Sequence, residues 1–287
     1  MAYTYSRILS RLKRSWLAPV VGGLASSVPS RWVRKPAILD RDHVCLFVTY
    51  APDGKIPAHA LFHARSWAEA GFKVNLTVIL DQLENFTASE KLAFAAGVLL
   101  RANQGYDFGA WAATIAQLPD LRKASLLCIA NDSVYGPFNN FSAMIDRISK
   151  TDADMIGLTE SYEVTRHFQS YIMLFRQTAL RHPSFVKFWR NVRTGGRSFV
   201  IENYELKLLL GMEKAGLRAL ALYPTVEKGP NPTLMFWREL IAAGFPFLKV
   251  QLLRDNPLQL DLTGWDALVR ERGFDPGLIR DHLKIQI

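Results

Sequence analysis

The chain has 287 residues, 49% of them hydrophobic and 11% aromatic, which excludes a disordered chain and suits one large domain or two small ones. The formal net charge is +9, but Arg7, Arg11, Lys13, Arg14, Arg31, Arg34 and Lys35 put +7 of it on residues 1–36, where there is no acid. The remainder carries only +2, too little to ask for a nucleic-acid partner, and no apolar run approaches the ~20 residues that span a bilayer.

Residues 4–17, TYSRILSRLKRSWL, place Ile8, Leu9, Leu12 and Trp16 on one helical stripe and Arg7, Arg11 and Arg14 on the other side. Three readings stay open: an amphipathic helix resting on an anionic membrane, a helix packed on the protein, or a frayed basic tail. Residues 18–40 hold Gly, Ser and Pro and read as a linker. The chain thus divides into a basic N-terminal extension, 1–40, and a single domain, 41–287.

From residue 43 the pattern alternates. HVCLFVTY (43–50) and KVNLTVIL (73–80) read as buried strands, with HALFHARSWAEAG (59–71) as a helix between them that stops at glycine. ASEKLAFAAG (88–97) reads as a helix before the short run VLL. FGAWAATIAQL (108–118) is a helix and SLLCIA (125–130) a strand. DMIGLT (154–159) and FQSYIMLF (168–175) are strand-like, and SFVKFWRNV (184–192) is helical. VIENYELKLLLGMEKAG (200–216) reads as a strand end running into a helix, and LRALALY (217–223) as a strand. Helices follow at 235–244, 264–272 and 276–284. Strands alternating with helices indicate an α/β layer fold with a largely parallel sheet. Cys45 and Cys128 both lie in strand-like runs, outside any CxxC or His/Cys cluster, and read as buried thiols in a reducing compartment.

Five stretches could carry chemistry. RANQGYDFGAWAA (101–113) offers Asn103, Gly105 and Asp107 at a helix start; Asp107 is either a helix cap or a ligand residue. ANDSVYGPF (130–138) ends a buried strand in Asn131, Asp132 and Ser133. Ligands of open α/β sheets bind at such carboxyl ends, and Asp132 there could hold a hard divalent cation with diphosphate and water, or simply be a polar strand end. His167, Gln169 and Ser170 open an apolar strand and could bind sugar hydroxyls or be satisfied structurally. Glu202 and Glu205 begin an apolar-periodic helix, either as carboxylates that its dipole favours or as a general base. Arg238, Lys249 and Arg254 are sparse cations of the kind a departing diphosphate needs; a surface helix and loop is the other reading. GxGxxG and GxxxxGK[ST] are both absent, so a dinucleotide fold, a methyltransferase and a nucleotidyltransferase gain no support.

In series these stretches resemble the rhamnan synthesis protein F family, whose members look like GT-A-type glycosyltransferases. The motifs are N-x-G-Y-D-F-G-A-W at 103–111, N-D-S-x-Y-G-P at 131–137, G-L-T at 157–159, H-x-Q-S-Y at 167–171, F-W at 188–189, Y-E at 204–205, N-P-T at 231–233 and G-F-P-F-x-K-x-x-L-L-R-D-N-P at 244–257. The resemblance implies a GT-A-like, Rossmann-related, mostly parallel sheet flanked by helices, with a helical C-terminal part. It implies transfer of a sugar, expected to be rhamnose from dTDP-rhamnose, to a growing surface polysaccharide or lipid-linked saccharide, with inversion. Asp132 would be the metal-binding carboxylate, for Mg²⁺ or Mn²⁺, although N-D-S departs from the usual DxD. Glu205, in preference to Glu202, would be the base. Asn103, Gly105, Asp107, Asn131 and Ser133 would line the donor site, Lys249 and Arg254 would neutralise the diphosphate, and His167, Gln169 and Ser170 would face the sugar or acceptor. A cytoplasmic location, peripheral on the membrane through residues 4–17, is expected. The alternative is a non-catalytic saccharide-binding or scaffold module.

Overall fold

The strand at His43–Tyr50 shows how this sequence builds its fold. All six inner residues are buried. Val44, Leu46 and Val48 enter one hydrophobic core, and Cys45 and Phe47 enter another. A strand covered on both faces needs a continuous apolar run, not an alternating one. The computed structural model describes residues 22–38, 40–225 and 231–284. The amphipathic segment expected at 4–17 lies outside them, and no helix among the described residues is long and apolar enough to cross a membrane.

The main sheet comprises β1 (Ser30–Arg34), β2 (His43–Tyr50), β3 (Lys73–Leu80), β4 (Gly97–Ala102), β5 (Leu126–Asn131), β7 (Met155–Ser161), β8 (His167–Phe168), β9 (Ile172–Arg176) and β10 (Ala219–Tyr223). A separate ribbon pairs β6 (Val134–Tyr135) with β11 (Leu248–Lys249). The main order is β1-β4-β3-β2-β5-β9-β7-β10, with β8 bonded to β7. β4, β3, β2 and β5 run parallel to one another, and β10 runs parallel to β7. β9 enters antiparallel between β5 and β7. It returns from β7 by a short connection without a crossover helix, and such a return runs antiparallel. The α/β architecture is therefore realised as a mixed sheet.

Helices α1 (Ala58–Glu69) and α3 (Phe141–Lys150) cover one face. Helices α2 (Tyr106–Gln117), α4 (Pro183–Arg190) and α5 (Leu206–Lys214) cover the other. A third, smaller core gathers Tyr135, Trp237, Leu248, Val269 and Phe274 with Ile279 of the C-terminal helix α6 (Pro276–Leu283). This helical part holds the β6–β11 ribbon beside the end of β5.

Four local expectations are corrected. The linker contains an edge strand: β1 pairs antiparallel with β4, and Trp32 packs on the core while its indole N–H donates to Gln117 at 2.8 Å. The helix expected at 88–97 is a single 3₁₀ turn, Glu90–Leu92. Only Leu92 and Ala95 are buried ahead of β4, too few for a helical stripe. The strand expected at 168–175 divides into β8 and β9, because Gln169 turns inward to bond Thr159 and Thr233. The segment at 200–216 has no strand end. It is helical from Arg197 to Lys214, with a π-helical turn at Ile201–Glu205. The β-branched pair Val200-Ile201 suggested a strand, but burial of Val200, Tyr204, Leu208 and Leu209 against α2 and α4 follows a helical period.

The chain winds outward from β2 through β3 to β4, then returns to lay β5 on the other side of β2. That reversal falls at the carboxyl ends of β2 and β5, where open α/β sheets present their ligand sites.

Candidate functional site

At the reversal, Thr49 of β2 donates its hydroxyl to Asp132 Oδ2 at 2.6 Å, and the Tyr50 N–H donates to the same oxygen at 3.1 Å. Both bonds fall on Oδ2, so Oδ1 is the oxygen a ligand or a cation would meet. Burial pushes the Asp132 carboxyl up, while the Thr49 and Tyr50 donors favour its anion. Behind it, the carbonyl of Asp132 meets His59 Nε2 at 3.3 Å.

The polar strand end has a structural explanation. Lys249 Nζ donates to Ser133 Oγ at 3.2 Å, and the Ser133 hydroxyl donates to Asn131 Oδ1 at 2.6 Å. Asn131 Nδ2 then donates to Asp107 Oδ2 at 2.7 Å. Each donor points the same way, from a cation to a carboxylate, which makes the chain mutually reinforcing. The β6–β11 pairing supplies the cation by setting Lys249 opposite Val134, one residue from Ser133. Gly136 permits this close approach. Its φ is +132°, and a Cβ there would lie 2.5 Å from the Pro246 carbonyl.

Asp107 is pushed up to about 7, by burial first and then by the charge of Asp132, against the Asn131 hydrogen bond and Lys249. Lys249 is pushed down to about 8 by burial; Glu205 and Asp107 act against that, and Arg197 and Arg254 add to it. Glu205 therefore belongs to the same electrostatic cluster, and its Oε1 accepts the Ser170 N–H at 3.4 Å. Glu202 lies on the same π-helical turn, but only Glu205 of the two acts on Asp107 and Lys249. Neither carboxylate sits at a free helix N-terminus, so the dipole reading does not apply to them.

The remaining expected residues scatter. Asn103 donates to Asp81 at 3.0 Å beside the end of β3, and Tyr50 OH donates to the same carboxylate. Gly105, at φ +79°, is the left-handed residue before α2. Arg254 is paired with Asp255, yet its charge reaches Lys249. His167 is buried, with Nδ1 2.8 Å from the Thr165 carbonyl. Gln169 is buried in the Thr159–Thr233 network, away from solvent. Arg238 stacks on Trp237 at 4.0 Å.

Sequence reading missed Thr49, Tyr50, Asp81, His59 and Arg197. A signal was available for three of them: HVCLFVTY closes on Thr49-Tyr50 and KVNLTVIL is followed by Asp81, the same buried-run-then-polar pattern that drew attention to Asp132.

Among the described residues, no group of three or more His, Cys, Asp or Glu side chains is gathered around a metal position. Mg²⁺ does not need one, since it keeps waters and takes phosphate oxygens with one or two carboxylates. Asp132, with Oδ1 left over and a second carboxylate close enough to be repelled by it, fits that minimal donor set.

Similarities to known proteins are distant. The virulence protein VirA of Vibrio anguillarum is 28% identical over 207 residues, covering 60% of this chain and 65% of VirA. The uncharacterized protein y4gN of Sinorhizobium fredii is 29% identical over 135 residues, covering 44% of this chain and 34% of y4gN. The chain thus spans less than two thirds of either relative. Among solved structures, mouse xyloside xylosyltransferase 1 aligns over 72% of this chain and 97% of its own, at 11% identity and a TM-score of 0.35. The mannosyltransferase Ktr4p of S. cerevisiae aligns over 64% and 69%, at 10% identity and a TM-score of 0.27. The pattern of the family described as rhamnan synthesis protein F matches residues 76–285, most of the chain, and the protein is a member of that family.

Proposed function

We propose that the protein is a glycosyltransferase that carries a sugar from a nucleotide donor to a saccharide hydroxyl, with its donor site at the carboxyl ends of β2 and β5. The observation that carries this reading is the Lys249–Ser133–Asn131–Asp107 chain beside Asp132 at the strand-order reversal, with the charge of Glu205 acting on both Asp107 and Lys249. In this reading Lys249, backed by Arg197 and Arg254, takes the diphosphate. A divalent cation held by Asp132 would supply further neutralisation of the leaving group. Glu205 takes the proton of the acceptor hydroxyl; the acceptor oxygen bonds to the anomeric carbon as the carbon–phosphate oxygen bond breaks, and the electron pair leaves with the diphosphate. One base and no covalent intermediate give inversion. Rhamnose, from dTDP-rhamnose, is the donor sugar we propose, because the family is described by rhamnan synthesis. Attachment to an anionic membrane through residues 4–17 belongs to the same proposal, and loss of vesicle binding on deletion of residues 1–21 is its test.

Calorimetry with dTDP, UDP, GDP and CMP, with and without Mg²⁺ or Mn²⁺, tests the donor site on wild type and Asp132→Ala. Selective dTDP binding that weakens in the variant supports the reading. Absence of nucleotide binding under every condition replaces it with a non-catalytic module. Near-normal turnover in Glu205→Gln would remove Glu205 as the base.

A further inference from the structure

A concavity begins one residue before Asp107 of the charged cluster. It has a volume of about 490 Å³, with residues 103–106 on one side and residues 194–196 with Gly22 on the other. No Asp, Glu, Lys, Arg or His lines it among the described residues. Its polar groups are two amides, Asn103 and Gln104, and the hydroxyls of Thr194 and Tyr106. Its one aromatic is Tyr106, 50% exposed. Described walls without a charged side chain do not suit a diphosphate. An open aromatic face ringed by neutral donors and acceptors suits a polyhydroxylated ring, whose C–H face packs on the aromatic while its hydroxyls bond the amides.

The backbone under this groove is unusual and rigid. Tyr106 has φ +54°, directly after Gly105 at +79°. A bulky non-glycine residue rarely occupies that region, and such conformations persist where the surroundings hold them for a purpose. Here the surroundings do so. The guanidinium of the fully buried Arg101 donates to the carbonyls of Gln104 at 2.6 Å, Ala102 at 3.2 Å and Ala25 at 3.4 Å. The opposite wall is fixed by the Gly22 N–H on the Thr194 carbonyl at 2.9 Å and the Thr194 N–H on the Gly23 carbonyl at 3.0 Å. Both walls are thus set before any ligand arrives.

Position links the groove to the chemistry. Tyr106 lines it, while the next residue, Asp107, bonds Asn131 and feels Asp132, Lys249 and Glu205. We infer that this groove is the acceptor subsite, which takes Asn103 and Gly105 out of the donor lining expected of them: it seats a neutral pyranose unit of the acceptor saccharide on the ring of Tyr106, with Asn103, Gln104 and Thr194 on its hydroxyls. The inference rests on the glycosyltransferase reading for the word acceptor, and on the groove alone for the saccharide.

The test uses the full chain and a neutral probe, a methyl glycoside of an α-linked rhamnose trisaccharide, followed by saturation-transfer NMR and calorimetry with and without saturating dTDP. Wild type binds the probe, and dTDP does not displace it. Tyr106→Phe keeps the affinity within about threefold, and Tyr106→Gly loses at least about tenfold, the worth of roughly one ring-stacking contact. Glycine accepts a positive φ freely, so Tyr106→Gly folds with an undiminished melting temperature. Unchanged probe affinity in Tyr106→Gly overturns the inference. So does displacement by dTDP, loss of dTDP affinity in place of probe affinity, which would make the groove a nucleobase site, or failure of wild type to bind the probe at millimolar concentration. Failure of the transferase reading looks different: no nucleotide binds, yet Tyr106-dependent saccharide binding remains.

Discussion

The hydroxyl of Thr49 and the carboxylate of Asp132 meet at 2.6 Å, tying the carboxyl end of β2 to that of β5 across the point where strand order reverses. The bond orients Asp132 and favours its ionised form. Thr49→Val preserves shape and removes the donor, leaving only the Tyr50 N–H on Oδ2. We expect a loss of about 1.5–3 kcal/mol in stability, as for a hydrogen bond to a charged group, and a fall in nucleotide affinity of roughly three- to tenfold. Thermal unfolding and nucleotide titration check both; wild-type affinity in Thr49→Val would mean that Asp132 needs no orientation from β2.

Acid stability should depend on a close pair of imidazoles. His59 and His282 lie with ring centroids 4.0 Å apart, and His282 Nδ1 is 2.8 Å from the Tyr135 hydroxyl. Burial pushes both down to about 4, and His63, four residues along α1, down to about 3. Their unfolded values lie near 6.5, so between pH 6.5 and 4 the unfolded chain binds more protons than the fold. Their contribution is complete above pH 6.5 and is lost as pH falls through 4. His59→Gln combined with His282→Asn should flatten this slope, with His59 accounting for on the order of 2 kcal/mol. Denaturant unfolding at half-unit pH steps measures it, and a slope equal to wild type would sink the assignment.

Asp107 works in the opposite sense. Its value in the fold, about 7, lies above that of an unfolded aspartate, so the fold retains a proton that the unfolded chain has released. Its effect on stability is therefore an increasing penalty from about pH 4 to 7 that levels off above. Asp107→Asn keeps an acceptor for Asn131 and removes the charge. We expect it to match wild type near pH 4 and to exceed it by roughly 1–2 kcal/mol at pH 8. Equal unfolding free energies at pH 8 would show that Asp107 is not charged against its surroundings.

Gly157 explains the small residue of the G-L-T motif. A Cβ there would lie 2.4 Å from the Phe168 ring, which folds over β7 from β8. Gly157→Ala should cost about 1–3 kcal/mol by overpacking. A melting temperature equal to wild type would show that Phe168 can move aside.

Legibility followed locality. β2, β3 and β5 were readable because strands buried on both faces are continuous apolar runs, and α2 because its run FGAWAATIAQL is too long and too rich in alanine for a strand. The antiparallel entry of β9 was not, since its run IMLF resembles that of a parallel strand and only the short connection from β7 decides the direction. In the site, Asn131, Asp132 and Ser133 stood out as polar residues ending an apolar run. Thr49 ends such a run too, but its role lies in a bond to a residue 83 positions away, and that of Tyr106 in a backbone angle, neither of which local sequence displays. The π-helical turn around Glu205 was hidden because Val200 and Ile201 favour strands in isolation, while packing on α2 and α4 makes them helical.

Lys249 gives the site an upper pH limit. Burial holds its ammonium near 8, with Arg197 and Arg254 pushing the same way and Glu205 and Asp107 resisting. The cation that we propose for the diphosphate is therefore present below about pH 8 and is lost as pH rises through it. Wild-type affinity for dTDP should fall between pH 7.5 and 9, roughly tenfold per pH unit once the lysine is neutral. Lys249→Met should be weak at every pH, by at least about tenfold at pH 7, because a buried charge-assisted contact is gone. Lys249→Arg supplies the decisive comparison: a guanidinium stays charged, so whatever affinity it retains at pH 7 should persist at pH 9. A decline in Lys249→Arg that parallels wild type would place the titrating group elsewhere, and a Lys249→Met protein that binds dTDP normally would take Lys249 out of the donor site.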